Sequence, residues 1–327
     1  MRDADAKAAD LKVAHGEVGG VGEVGVGEAG GRAGPLLTEA QRGHLAMLAF
    51  SALIAGSFSL GGLVANLIAP VAFSALRFLL AAGFVGAAAF ATGAVRAADL
   101  RAPWRYLALG ACLSAYFVLM FEGLKTAPPV AAAAVFTLTP ILSAGFGWLL
   151  LRQITTARIA AALALGGVGA AWVIFRADLG AMLRFQVGRG EVIYFWGCVA
   201  HAFYTPLVRK LNRGESPLVF SFGVLLTGFV ILTALGWTEI AATDWADLPA
   251  IVWVTLVYTA FFASAVTFVL LQYAALRLPA SKVMAYTYLT PSWVILWEAG
   301  LGRPLPPGLV LLGVGATIAA LAMLVGD

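Results

Sequence analysis

From His44 to the C-terminus the chain repeats one pattern: a run of about 20 apolar residues, then a short polar break. At about 1.5 Å of rise per residue, such a run is long enough to cross the hydrocarbon of a bilayer, which predicts membrane-spanning helices and no sheet. Ten of these runs fall at residues 44–64, 72–92, 103–123, 128–151, 157–175, 190–210, 217–237, 249–272, 281–300 and 306–325. The breaks carry the charges and turn residues, as in Ala98-Asp99-Leu100-Arg101, Arg152-Gln153, the stretch from Arg209 to Glu215, and the acidic one from Glu239 to Asp247. Ahead of the first run, residues 1–43 mix charges with a Gly/Val/Glu run from Gly16 to Gly34 and offer almost no large side chain. So little buriable surface does not offset the entropy of ordering, so a disordered cytoplasmic tail is expected there.

Composition narrows the class. With 61% hydrophobic residues, 12% charged residues and a mean hydropathy of +0.91, the chain is too apolar for a soluble domain. The net charge of +4 does not indicate a nucleic-acid partner, because Lys and Arg lie between the apolar runs instead of forming one basic face. The lipid bilayer is the expected surrounding, and a monomer or homodimer the expected assembly. Cys112 and Cys198 sit inside apolar runs and read as small buried hydrophobes. No His/Cys/Asp/Glu group has metal-ligand spacing, and Gly167-x-Gly169 lacks the strand before it and the basic residue after it that a phosphate loop needs. Neither a cofactor, a metal nor a catalytic residue is expected.

Loop charges set the orientation. With the N-terminus cytoplasmic, the breaks after the second, fourth, sixth and eighth runs hold Arg96, Arg101, Arg105, Arg152, Arg158, Arg209, Lys210, Arg213, Arg277 and Lys282. The opposite side then holds only Lys125, Arg176, Arg184, Arg189 and Arg303. The excess of positive charge favours both termini inside a multi-pass protein of the cell membrane, inner or plasma.

The chain also repeats itself. Leu138-Thr139-Pro140 recurs as Leu289-Thr290-Pro291, and Phe117-Val118-Leu119 precedes the first by the same interval at which Phe268-Val269-Leu270 precedes the second. Gly167-Val168-Gly169-Ala170 returns as Gly313-Val314-Gly315-Ala316. The halves, 44–175 and 190–325, hold five runs each, and an odd number makes the second half enter the membrane from the opposite side. The fold class expected is therefore an all-α membrane protein, ten transmembrane helices in two inverted five-helix repeats. Proline removes a backbone donor and interrupts a helix, and in lipid such a break is tolerated only where it packs on protein or lines a cavity. Paired breaks in corresponding positions point to a substrate site between the halves.

On these residues the chain resembles the drug/metabolite transporter superfamily, in its EamA-type form with two like halves. The first half carries the resemblance through Pro70, Leu76-Arg77-Phe78-Leu79-Leu80, and Gly123-Leu124 through Pro140 to Leu151; the second through His201-Ala202-Phe203-Tyr204, Ser216-Pro217, and Tyr273-Ala274-Ala275-Leu276 through Pro291. The resemblance spans essentially everything after the tail. It implies a carrier of small organic metabolites, often an exporter, with a central cavity. This chain departs from the family pattern in the first span, where Ala55-Gly56 replaces a common Trp-Gly, and in the sixth, where His201 replaces a common Trp.

Ionisable side chains at membrane depth are costly and so are candidates for function. Arg77 either snorkels to the outer interface or pairs with a substrate anion, Glu122 or Glu298. Glu122 near Lys125 reads as a surface ion pair, and Glu298 as the end of a span with an aromatic belt at Trp293 and Trp297. His201, central in its run, is either a proton-coupling group or a core histidine held by a neighbouring Ser, Thr or Tyr. Tyr204 lies one turn further on the same face. Tyr286, Tyr288, Thr139, Pro140, Thr290 and Pro291 complete the expected cavity, whose aromatic and hydroxyl lining suits an amino acid, nucleobase or aromatic compound. The same residues also serve ordinary interhelical packing. Two other classes stay open at this point: a membrane-embedded lipid-modifying enzyme, which would need clustered carboxylates or His pairs at one interface, and a non-transporting membrane partner or sensor.

Overall fold

Thr38 starts the first helix. Its hydroxyl accepts from the Gln41 amide at 3.2 Å while the Gln41 side chain accepts from the Thr38 amide at 2.8 Å, so the box satisfies two amides that a helix start leaves open. Helix α1 (Glu39–Val64) therefore begins ahead of the apolar run at 44. This computed structural model describes residues 37–96, 99, 101–184 and 186–325; most of the expected tail, residues 1–36, lies outside them.

Helix α2 (Pro70–Ala91) opens on a proline, where a missing N–H costs nothing, and α3 (Trp104–Leu124) follows. The fourth apolar run is divided into α4 (Pro129–Phe136) and α5 (Thr139–Leu151). Thr156 caps α6 (Ala157–Ile174), accepting from the Ile159 amide at 3.3 Å, and the short α7 (Leu179–Leu183) leads to the second half. There α8 (Arg189–Leu211) runs on past an internal proline, Pro206, and α9 (Pro217–Ala242) is kinked at Gly236. The eighth run is built from α10 (Ala250–Ala260), a π-helical stretch Phe261–Val266 and α11 (Thr267–Ala275). The ninth is α12 (Ala280–Ala285), a 3₁₀ turn Tyr286–Leu289 and α13 (Thr290–Gly300), and α14 (Gly308–Val325) comes last. The described residues contain no strand.

Eight of the described helical segments are long and apolar enough to cross a membrane. The two other expected spans fall short for different reasons. Helix α8 has the length, but Glu191, Tyr194, His201, Tyr204 and Pro206 dilute its apolarity. The ninth run, broken by its 3₁₀ turn as the fourth is by its own break, is in addition less apolar, carrying Lys282, Tyr286, Thr287, Tyr288, Thr290, Ser292 and Glu298.

Helix α2 packs on α9, α3 on α8 and α9, α6 on α14, α1 on α11 and α13, and α5 on α8 and α12. At the α6–α14 crossing the backbones touch: a methyl group on Gly169 would come within 2.7 Å of the Gly313 carbonyl oxygen, and one on Gly313 within 2.7 Å of the Gly169 oxygen. Phe58, Phe78, Phe136, Tyr194, Phe220 and Tyr288 are fully buried. The outer faces are apolar too. Leu235 is 82% exposed, and Trp196 and Leu312 are exposed too, apolar side chains that water would penalise and hydrocarbon accepts.

Candidate functional site

Arg77 sits on α2 and is 0% exposed, so it does not snorkel to an interface. Its Nε donates to the Ser264 hydroxyl at 2.7 Å and its Nη2 to the Ala263 carbonyl at 2.8 Å, both acceptors presented by the π-helical stretch. The guanidinium carbon lies 3.9 Å from the centre of the Phe117 ring, a cation–π contact that replaces part of the lost hydration. Nη1 has no partner. The expected pairing with Glu122 or Glu298 is not formed: Glu122 accepts from Lys125 at 2.7 Å on a partly exposed surface, and Glu298 faces Arg303 at 3.4 Å. Each carboxylate reaches a cation close to it in sequence, leaving Arg77 with neutral acceptors and one aromatic face.

His201 sits on α8, its ring centred 4.4 Å from Tyr116 and 5.3 Å from Phe136. It stacks on Tyr204 at 6.2 Å, as the one-turn spacing requires. The hydroxyl-held core histidine is not what forms at Nδ1, which is buried with no hydrogen-bond partner. The Tyr204 hydroxyl is taken by Gln272, whose Nε2 donates to it at 2.7 Å.

Arg77 and His201 meet at one enclosed cavity, lined also by Ser57, Tyr116, Phe117, Thr267 and Phe268, with room for about one water molecule. Both halves of the chain supply its wall. The Ser57 hydroxyl, like Arg77 Nη1 and His201 Nδ1, is buried with no hydrogen-bond partner among the described residues. Three unsatisfied polar atoms around one cavity stand out, because buried polar groups are ordinarily hydrogen-bonded.

The helix breaks form a separate polar cluster. Pro140 and Pro291 each stand second in a new helix, α5 and α13, so they begin helices and do not kink them. The Thr139 hydroxyl donates to the Phe136 carbonyl at 2.7 Å and lies 3.2 Å from the Thr287 hydroxyl, which joins the two breaks. Tyr286 reaches His44 Nδ1 at 3.1 Å, while the hydroxyls of Tyr288 and Thr290 are buried with no partner. None of these residues lines the closed cavity. The first break touches it indirectly, through Phe136 against His201.

Sequence reasoning missed Tyr116, Phe117, Ser264 and Phe268 as site residues. For two of them a signal was present. Phe117 and Phe268 open corresponding tripeptides of the two halves, and their rings stack at 5.9 Å on the cavity wall. Ser264 carried none, since nothing in its local pattern foretells a π-helical stretch.

Eight helical segments of spanning length and apolar outer flanks, among the described residues, define a multi-pass membrane protein. The chain belongs to the EamA-like transporter family, whose sequence model matches residues 41–175 and 188–326, one match per half. It is similar to an uncharacterized transporter, YyaM, of Bacillus subtilis (strain 168), 24% identical over 283 residues that cover 86% of this chain and 92% of that protein. A solved crystal structure 22% identical to it has a TM-score of 0.65, covering 84% of this chain and 94% of the other, and shares the fold. The protein is a membrane transporter by family.

Proposed function

We propose that the chain is a ten-span carrier that moves a small organic metabolite outward across the cell membrane by alternating access, with both termini cytoplasmic. The observation that carries this reading is the closed cavity between the halves, with Arg77 Nη1, His201 Nδ1 and Ser57 Oγ unpaired around it. A small internal cavity lined by both halves supports the occluded form that a carrier passes through between its two open forms.

Helix contacts support the inverted repeat. Exchange each first-half helix for its counterpart and the contacts map onto one another: α3 on α8 becomes α11 on α1, α5 on α8 becomes α13 on α1, and the pairs α2–α9 and α6–α14 map onto themselves. The Phe117–Phe268 stack, between residues in corresponding positions, lies on that relation. Five spans per half then require the halves to enter the membrane in opposite senses. The excess of basic residues in alternate loops supports cytoplasmic termini.

The amino acid, nucleobase and aromatic classes all fit an aromatic wall with a few polar groups. Flux into and out of proteoliposomes, measured over a panel from these three classes, tests the carrier reading. Saturable flux for at least one compound is expected, and no flux under any gradient would overturn it.

A further inference from the structure

Arg77 is a full positive charge in the interior with no carboxylate among its partners in the described residues. Burying an unpaired charge is strongly unfavourable, and two neutral hydrogen bonds with one ring face compensate only part of it. An anion would complete that compensation. The residues carrying Nη1, the Ser57 hydroxyl and His201 Nδ1, atoms with no hydrogen-bond partner among the described residues, all line one cavity, and each can donate to an oxygen. In this form the cavity has room for about one water molecule, so its walls must part to admit an organic acid. A carboxylate, with two oxygens and about four lone-pair positions, is the group such a set of donors accommodates.

The rest of the wall decides the body of the ligand. Phe117, Phe268, Tyr116 and Met120 supply ring faces and an adaptable apolar surface. Among the described residues, no Asp or Glu lines the cavity. An ammonium group entering beside Arg77 would meet a like charge and no counter-charge, and a neutral nucleobase would leave the guanidinium uncompensated.

We infer that this cavity selects organic acids carrying one carboxylate and an aromatic or apolar body, and turns away zwitterionic amino acids, amines and neutral isosteres. The inference rests on the carrier reading and names the substrate class of the same site. It makes Arg77 the group that holds the carboxylate and the Phe117–Phe268 stack the platform for the ring.

Four compounds sharing a benzyl group separate the possibilities: phenylacetate, phenylacetamide, phenethylammonium and phenylalanine. Their binding to the purified full-length protein is read at neutral pH by thermal stabilisation in detergent, and their flux is read in proteoliposomes. Phenylacetate is expected to stabilise the wild type in a saturable way and the other three are not. Arg77→Gln should weaken phenylacetate roughly ten- to a hundredfold, with Arg77→Lys falling in between. If Arg77→Gln fails to fold, the four-compound comparison on the wild type still decides. Equal or stronger binding of phenylalanine or phenethylammonium overturns the inference, as does absence of any phenylacetate response, or phenylacetate binding unchanged in Arg77→Gln. The two readings separate cleanly: flux of phenylalanine alone sinks the acid selectivity and leaves the carrier, whereas saturable phenylacetate binding with no flux for any compound sinks the carrier and leaves the anion site.

Discussion

At the scale of single residues, the interior of this protein is held by polar contacts that are few and hard to replace. The Tyr204 hydroxyl is the acceptor for Gln272 Nε2 at 2.7 Å in a fully buried pair, and Gln272 Oε1 already lacks a partner. Tyr204→Phe should therefore lower stability by about 1–3 kcal/mol, because it leaves a second amide atom unsatisfied. Adding Gln272→Leu should return much of that loss, since two apolar partners leave nothing unpaired. Unfolding midpoints of the two variants in detergent check this; an additive double variant would show that the hydrogen bond is not what couples them. Ser264→Ala removes the acceptor from Arg77 Nε, and a similar loss of about 1.5–3 kcal/mol is expected for a bond to a charged group.

At the scale of elements, the two breaks behave as helix starts. Pro140 and Pro291 occupy the first turns of α5 and α13, where an amide has no intrahelical acceptor anyway. Pro140→Ala should accordingly change stability by less than about 1 kcal/mol in thermal unfolding, while the same exchange in a helix interior would release a large strain. A shift well above that would mean that the proline ring itself imposes the break. The α6–α14 crossing is the opposite case. A side chain on Gly169 meets the Gly313 backbone oxygen, which has no rotamer to move away, so Gly169→Val should cost about 1–3 kcal/mol or more. Measured against Gly315→Val, where a methyl group meets nothing nearby, the difference isolates the close approach.

At the scale of the whole molecule, the halves are tied at one face by an ion pair. Arg105 on α3 donates to Glu215 in the loop after α8 at 2.6 Å, with side chains 1% and 3% exposed, and Arg105 also donates to the Leu211 carbonyl at 2.7 Å. Burial pushes the Glu215 carboxyl up, but hydrogen bonds from the Arg105 guanidinium and the Arg213 amide outweigh it and hold the group below the usual carboxylate range. A carboxyl whose folded value is depressed contributes stability above its ordinary value and loses it as pH falls through the depressed one. Glu215→Gln should cost about 3–5 kcal/mol at neutral pH by stranding Arg105. The gap between wild type and variant should narrow as the pH of the unfolding assay is lowered below the ordinary carboxylate range. A gap constant down to strongly acidic pH would remove Glu215 from the linkage between halves.

Much of the architecture was legible from the apolar runs alone, because hydrocarbon offers the backbone no partner and a helix of sufficient length satisfies itself. The paired Leu-Thr-Pro motifs likewise announced two breaks, since proline acts within its own turn. Where the reading stopped is equally physical. Thr139 and Thr287, Phe117 and Phe268, and Gly169 and Gly313 each meet across more than a hundred residues. The sequence showed that most of these residues belong to repeats, but not that the repeats touch there. It grouped Arg77 and His201 with the proline-break residues as candidates for one cavity, whereas packing puts Arg77 and His201 on a cavity that the break residues do not line. Arg77 shows the division most sharply. That it would sit at membrane depth followed from its neighbours Leu76 and Phe78, but its acceptors Ser264 and Ala263 lie 187 and 186 positions away, on a π-helical stretch that no local pattern signals. Local backbone chemistry decided which segments are helices; which charge goes unpaired, and beside which cavity, was decided by how distant helices meet.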